Sequence, residues 1–138
     1  MAGDSSTGTR RQRVLIVEDE DNIAIALDYL MSREGYEHDR IASGEGALDR
    51  IRATHPDLVL LDVMLPEVSG YEICQEVRAD RGLAGVKILM MTARGSAMER
   101  RKGLALGADG FIAKPFELKE LRDEVHRLLD AGAGAGAA

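Results

Sequence analysis

Four short apolar runs, each ending abruptly in polar residues, constrain this chain more than any other feature. Val14-Leu15-Ile16-Val17 runs into Glu18-Asp19-Glu20-Asp21, and Leu58-Val59-Leu60-Leu61 runs into Asp62. Ile88-Leu89-Met90-Met91 runs into Thr92, and Phe111-Ile112-Ala113 into Lys114-Pro115. A strand that is apolar at every position is buried on both faces, as in a parallel sheet covered by helices. Open sheets of that kind bind ligands at the carboxyl ends of their strands. Acids, a hydroxyl and a lysine are therefore expected along one edge of one sheet, with Asp62 the most informative among them.

The stretches between the runs carry helical spacing. Ile23, Leu27, Leu30 and Met31 form one stripe, and Leu118, Leu121, Val125, Leu128 and Leu129 form another. Gly35 suits the end of the first helix, and Ser43 suits the N-cap of the second. His55-Pro56 closes that second helix, because proline disfavours helical geometry in the residue before it. Strand two, over 36–42, is polar and reads as a sheet edge. The remaining strands are expected near 13–17, 58–61, 86–91 and 110–113, with a helix from Ser96-Ala97 to about Gly107. Five strands alternating with five helices predict an α/β fold, a doubly wound five-stranded parallel sheet of (βα)5 type. Residues 1–12 read as a flexible lead, 13–130 as one folded domain, and the Ala/Gly-only 131–138 as a flexible tail.

Composition removes several function classes. No apolar stretch approaches the ~20 residues of a membrane span, and no apolar signal segment opens the chain. The single cysteine, Cys74, excludes an intrachain disulfide and fits a cytoplasmic location. A net charge of −6 argues against direct nucleic-acid binding, which draws on a basic face. His38, His55 and His126 show no metal-ligand spacing.

Taken alone, Asp62 is a turn former or helix cap, and Glu18-Asp19-Glu20-Asp21 is a solvated loop that complements a helix N-terminus. Their coincidence at successive strand ends points elsewhere. Glu18, Asp19 and Asp62 could supply hard oxygen ligands to Mg²⁺, which offsets the repulsion between grouped carboxylates. Asp62 is then a credible nucleophile, with Thr92 and Lys114 placed to contact phosphoryl oxygens. A flavodoxin is less consistent, because an acidic loop would repel the flavin phosphate. A haloacid-dehalogenase-type phosphatase is also less consistent, because Met64 stands where its second aspartate belongs.

The combined motifs resemble the receiver domains of two-component response regulators. The resemblance rests on Val14-Leu15-Ile16-Val17-Glu18-Asp19-Glu20, Leu61-Asp62-Val63-Met64-Leu65-Pro66, Met91-Thr92-Ala93 and Lys114-Pro115-Phe116, within about residues 13–130. It implies the flavodoxin-like strand order 2-1-3-4-5. It also implies phosphoryl transfer to Asp62 from a sensor histidine kinase or histidine phosphotransfer protein. Mg²⁺, or Mn²⁺ in its place, would lie on Glu18, Asp19, Asp62 and the Met64 backbone carbonyl. Such a protein is a signalling switch and not an enzyme acting on a separate substrate. Thr92 and Phe111 would be the switch pair, with Phe111 turning inward from a more exposed position and altering the face of helix four, strand five and helix five for an unknown downstream protein. Lys114-Pro115 would be a cis bond. Met64 and Arg94 would flank the path of attacking water and lengthen the phosphoryl lifetime. The closest motif likeness is to receivers of winged-helix transcription factors, which pair through that same face. Arg100 and Glu120 match one such pair, whereas Gly110 and Glu124 depart from the pattern. A monomer or a weak phosphorylation-dependent dimer is expected. The alternatives are a phosphorelay shuttle and the receiver part of a DNA-binding regulator.

Overall fold

The computed structural model describes residues 11–93 and 96–137, with 131–137 described by backbone alone. Residues 1–10, Arg94, Gly95 and Ala138 lie outside the described residues, and with them most of the expected lead and the Arg94 part of the water-path expectation. The strands are β1 (Arg13–Val17), β2 (Glu37–Ile41), β3 (Leu58–Asp62), β4 (Lys87–Thr92) and β5 (Gly110–Ala113). All pair in parallel, in the order β2-β1-β3-β4-β5. This is the 2-1-3-4-5 arrangement, with the polar strand β2 at one edge. The helices are α1 (Asp21–Arg33), α2 (Ala47–Thr54), α3 (Gly70–Ala79), α4 (Ala97–Ala105) and α5 (Leu118–Ala137). The backbone of α5 is helical to Ala137.

Successive strand residues face opposite sides of the sheet, and the core divides accordingly. Leu15, Val17, Val59, Leu61, Ile88, Met90 and Phe111 pack with Ile51 of α2 and Ile73, Cys74 and Val77 of α3. Val14, Ile16, Leu58, Leu60, Leu89, Met91 and Ile112 pack with Leu27 and Met31 of α1 and Leu121, Val125 and Leu128 of α5. Each fully buried large side chain contributes on the order of 1.5–3 kcal/mol through burial. Truncating Leu60, which has no exposed surface, to alanine should cost about 2–5 kcal/mol.

The helix ends follow local chemistry. Ser69 caps α3 by accepting from the Glu72 amide, and Ser96 caps α4 by accepting from Glu99. The second helix corrects the expectation for Ser43. Its N-cap is Gly46 at φ 82°, with no side-chain cap. Two glycines reshape the lead-in, and Gly44 lies so close to Val68 that a Cβ would meet its carbonyl oxygen at 2.1 Å. The helix therefore starts three residues later than a Ser43 cap would allow, and the Ser43 hydroxyl instead donates to the Glu45 carbonyl. At the other end His55 adopts φ 46° before Pro56 and closes α2 as expected. No described helix is long and apolar enough to cross a membrane.

Candidate functional site

The carboxyl ends of β1, β3, β4 and β5 bring the polar run-ends together. Asp62 is the last residue of β3, paired in register with Met91, and Thr92 is the last residue of β4, paired with Ala113. Glu18 follows β1 directly, and its amide donates to the Ile41 carbonyl. Glu18, Asp62 and Thr92 are buried, whereas Asp19 is exposed. One carboxylate oxygen from each of Glu18, Asp19 and Asp62 falls within 4.8 Å of the others. Gly70 permits this packing, because a Cβ there would lie 2.4 Å from the Asp62 carbonyl oxygen.

Lys114 completes the cluster from the residue after β5. Its ammonium lies 3.2 Å from Asp62 Oδ2, 2.8 Å from Glu18 Oε1 and 3.4 Å from Glu20 Oε2. The Lys114–Pro115 peptide is cis. Met64 donates its amide to Asp62 Oδ1 at 3.0 Å, while its side chain is largely exposed. Glu20 donates its amide to Glu18 Oε2 at 3.0 Å. The other oxygen, Glu18 Oε1, is buried and lies 2.8 Å from the Lys114 ammonium outside good hydrogen-bond geometry, which leaves it a lone pair to share. Such a group is costly unless a charge or proton meets it.

The electrostatics reflect that cost. Burial pushes the Glu18 carboxyl up to about 7, with Asp62 adding to the rise and Lys114 and the Glu20 amide opposing it. Burial pulls Lys114 down, but the Glu18 and Asp62 carboxylates outweigh it and hold the ammonium above its ordinary value. A dense anionic pocket with one internal cation suits a divalent ion and a phosphoryl group.

Phe111, the other proposed switch residue, is buried, at 5% exposure. Gly103 of α4 leaves room for its ring, and Arg100 lies over the ring at 5.8 Å from the centroid while donating to the Phe111 carbonyl. Thus Arg100 is engaged within the chain, as is Glu124, which accepts from Arg127. Tyr71, which carried no expected role, donates to Glu99 and lies beneath the Lys102 ammonium, tying α3 to α4. Sequence reasoning also missed Arg40. From β2 it donates to the Glu18 carbonyl through Nε at 3.0 Å and through a terminal nitrogen at 2.8 Å. Its position in a polar edge strand was the only hint.

Comparisons with known proteins fit this arrangement. The response regulator receiver domain family matches residues 14–126, and the chain belongs to that family. It is a receiver domain of the two-component response-regulator class. It is 42% identical over 117 residues to the phosphate regulon transcriptional regulatory protein PhoB of Rhizobium meliloti, covering 85% of this chain and 52% of that protein. A response regulator of Chloroflexus aurantiacus superposes with a TM-score of 0.83 at 39% identity, covering 88% of this chain and 99% of that one. A receiver domain of the Pseudomonas aeruginosa sensor histidine kinase PA1611, solved with a magnesium ion in its active-site cleft, superposes with a TM-score of 0.79. It is 28% identical, and the match covers 88% of this chain and 99% of that one. The chain spans about half the length of the curated relatives it matches.

Proposed function

We propose that Asp62 accepts a phosphoryl group from a phosphohistidine on a sensor kinase or a histidine phosphotransfer protein. The convergence of Glu18, Asp19 and Asp62 on one point, with Lys114 bonded to the Asp62 carboxylate, carries this reading. An Asp62 carboxylate oxygen attacks phosphorus to form an acyl phosphate, and the phosphorus–nitrogen bond breaks with its electron pair leaving on the donor imidazole. Lys114 holds the Asp62 carboxylate beforehand and faces the phosphoryl oxygens afterwards. The buried Thr92 hydroxyl lies at the adjacent strand end, where it can donate to one of those oxygens.

The open lone pair of buried Glu18 and the all-oxygen donor set fit Mg²⁺, with Mn²⁺ as a substitute. Glu18, Asp19, Asp62 and the Met64 carbonyl would hold it. When bound, the ion neutralises charge and polarises a phosphoryl oxygen.

Thr92 and Phe111 are the proposed switch pair, and the face formed by α4, β5 and α5 is the proposed output surface. Phosphorylation draws Thr92 toward the new phosphoryl oxygens and biases the chain toward a buried Phe111 ring. With Arg100 and Glu124 engaged within the chain, a monomer or weak dimer is the expected assembly. A cytoplasmic location and the one-domain limits 13–130 belong to the same reading. The transcriptional and DNA-binding names of the curated relatives favour one second reading, in which the receiver controls a DNA-binding output.

The test is mass spectrometry after exposure to a small acyl-phosphate donor with and without Mg²⁺. One phosphoryl group should appear only with the ion, and Asp62→Asn should abolish it. Undiminished labelling of that variant would reject Asp62 as the acceptor. Incubating the phosphorylated protein with histidine phosphotransfer proteins separates a terminal switch from a phosphorelay shuttle.

A further inference from the structure

The loop that carries Glu18 and Asp19 is held from outside the site. Four carboxylates in succession, Glu18 to Asp21, repel one another and would spread if left to themselves. The helix that follows gives little restraint, because its N-cap, Glu20, makes no side-chain capping bond. Lys114 meets the Glu18 and Glu20 carboxylates inside the site, while the loop backbone is restrained from β2. The Ile41 carbonyl accepts from the Glu18 amide at 3.1 Å. The Arg40 guanidinium grips the Glu18 carbonyl with two donors, at 3.0 and 2.8 Å, and reaches Asp21 Oδ1 at 3.0 Å. Both peptide groups flanking the Glu18 side chain are thus fixed to one edge strand. A planar two-donor fork sets direction as well as distance, which an ammonium does not do.

We propose that Arg40 is a positioning residue for the carboxylate site: its fork on the Glu18 carbonyl holds Glu18 and Asp19 where they can share one divalent cation. This rests on the metal-site reading above and extends it to a residue that touches neither the ion nor the phosphoryl group. Two effects of Arg40 on that ion have opposite signs. As a nearby positive charge it repels a cation, so its removal should tighten binding. As a brace it orders the ligands, so its removal should weaken binding. Outer partners that orient metal ligands typically matter by about 10- to 100-fold in affinity. A charge that is part-exposed and already paired with Asp21 is screened, so the brace dominates.

The experiment is calorimetric titration of the whole chain with Mg²⁺ and, separately, Mn²⁺, alongside amide exchange of the metal-free protein. Arg40→Met should weaken both ions about 10-fold and speed exchange at the Asp19 and Glu20 amides. Arg40→Lys keeps the charge and loses the fork, so it should show most of the same loss. Asp21→Asn leaves the fork intact and should change affinity by less than about 3-fold. Circular dichroism of the metal-free variants should match the parent protein. Affinity in Arg40→Met equal to or tighter than the parent would overturn the proposal. So would full affinity in Arg40→Lys, because charge alone would then suffice. A parent protein that binds neither ion removes the metal-site reading itself and the proposal with it, a result distinct from either variant outcome.

Discussion

Gly103 of α4 stands against the ring of Phe111: a Cβ at that position would meet Phe111 Cδ2 at 3.2 Å and Met90 Sδ at 2.8 Å. It is also the only residue of α4 that is buried. The helix therefore rests on an aromatic ring through a residue with no side chain, assisted by Arg100 over Phe111 and Lys102 over Tyr71. Alanine is tolerable there, because the Met90 thioether can yield. Valine is not, and Gly103→Val should cost about 1–3 kcal/mol by overpacking. Urea unfolding gives the cost, and amide exchange should accelerate first in α4. An unchanged α4 would mean that the helix is held elsewhere.

The carboxyl of Glu18 makes stability depend on pH in a direction unusual for an acid. Its value rises from an ordinary 4.5 to about 7 on folding, through burial and then the neighbouring Asp62 against the pull of Lys114. Between those values the folded protein holds a proton that the unfolded chain has released. Stability of the metal-free protein should therefore fall as pH rises from about 4.5 to 7, by about 1–3 kcal/mol. Thermal melts in chelator should show the fall, and Glu18→Gln should flatten it. Mg²⁺ at about 100 times its dissociation constant should restore about 2.7 kcal/mol at neutral pH. Equal slopes for parent and Glu18→Gln would assign the fall to other groups.

Glu67, between β3 and α3, holds φ at 68°. A side chain in that left-handed region costs about 1–2 kcal/mol, and glycine removes the cost while adding chain entropy worth about 0.5–1 kcal/mol to the unfolded state. Because Glu67 is exposed and no packing is lost, Glu67→Gly should raise the melting temperature by a few degrees, about 2–5 °C. A lower melting temperature would show that the glutamate makes compensating contacts.

Arg78 fastens α3 to two loops at once. It donates to the Gly107 carbonyl at 2.7 Å, the Val86 carbonyl at 2.9 Å and Asp109 Oδ2 at 2.7 Å. The same Asp109 oxygen accepts from the Ile88 amide. Arg78→Met strands these acceptors and should cost about 2–4 kcal/mol. Arg78→Lys should recover less than half, since one ammonium cannot span three directions. Denaturant midpoints with unchanged slopes would give both values, and a full lysine rescue would contradict the geometry.

Much of this architecture was legible from local pattern. Doubly apolar runs such as Leu58–Leu61 have few other uses than buried parallel strands, and polar β2 could only be an edge. The site was legible for a related reason: acids, a hydroxyl and a lysine recur at successive run-ends. What escaped the sequence depends on contacts between distant elements. Ser43 has the chemistry of a cap, but the approach of Gly44 to Val68 moves the helix start beyond its reach. The burial of Phe111 depends on Gly103, a helix position that propensity alone would disfavour. Arg40 reaches back 22 residues through a long side chain, and no periodicity encodes such a reach.

The alternation of the strands has one more consequence. Phe111 and Ile112 are chain neighbours, yet they belong to different cores, as do Met90 and Met91. The sheet is a wall one backbone thick with a separately furnished room on each side. Resizing residues in the room of α2 and α3 leaves the room of α1 and α5 its original volume. Two sets of core substitutions, one from each room, should therefore add in free energy, whereas two sets from one room should not.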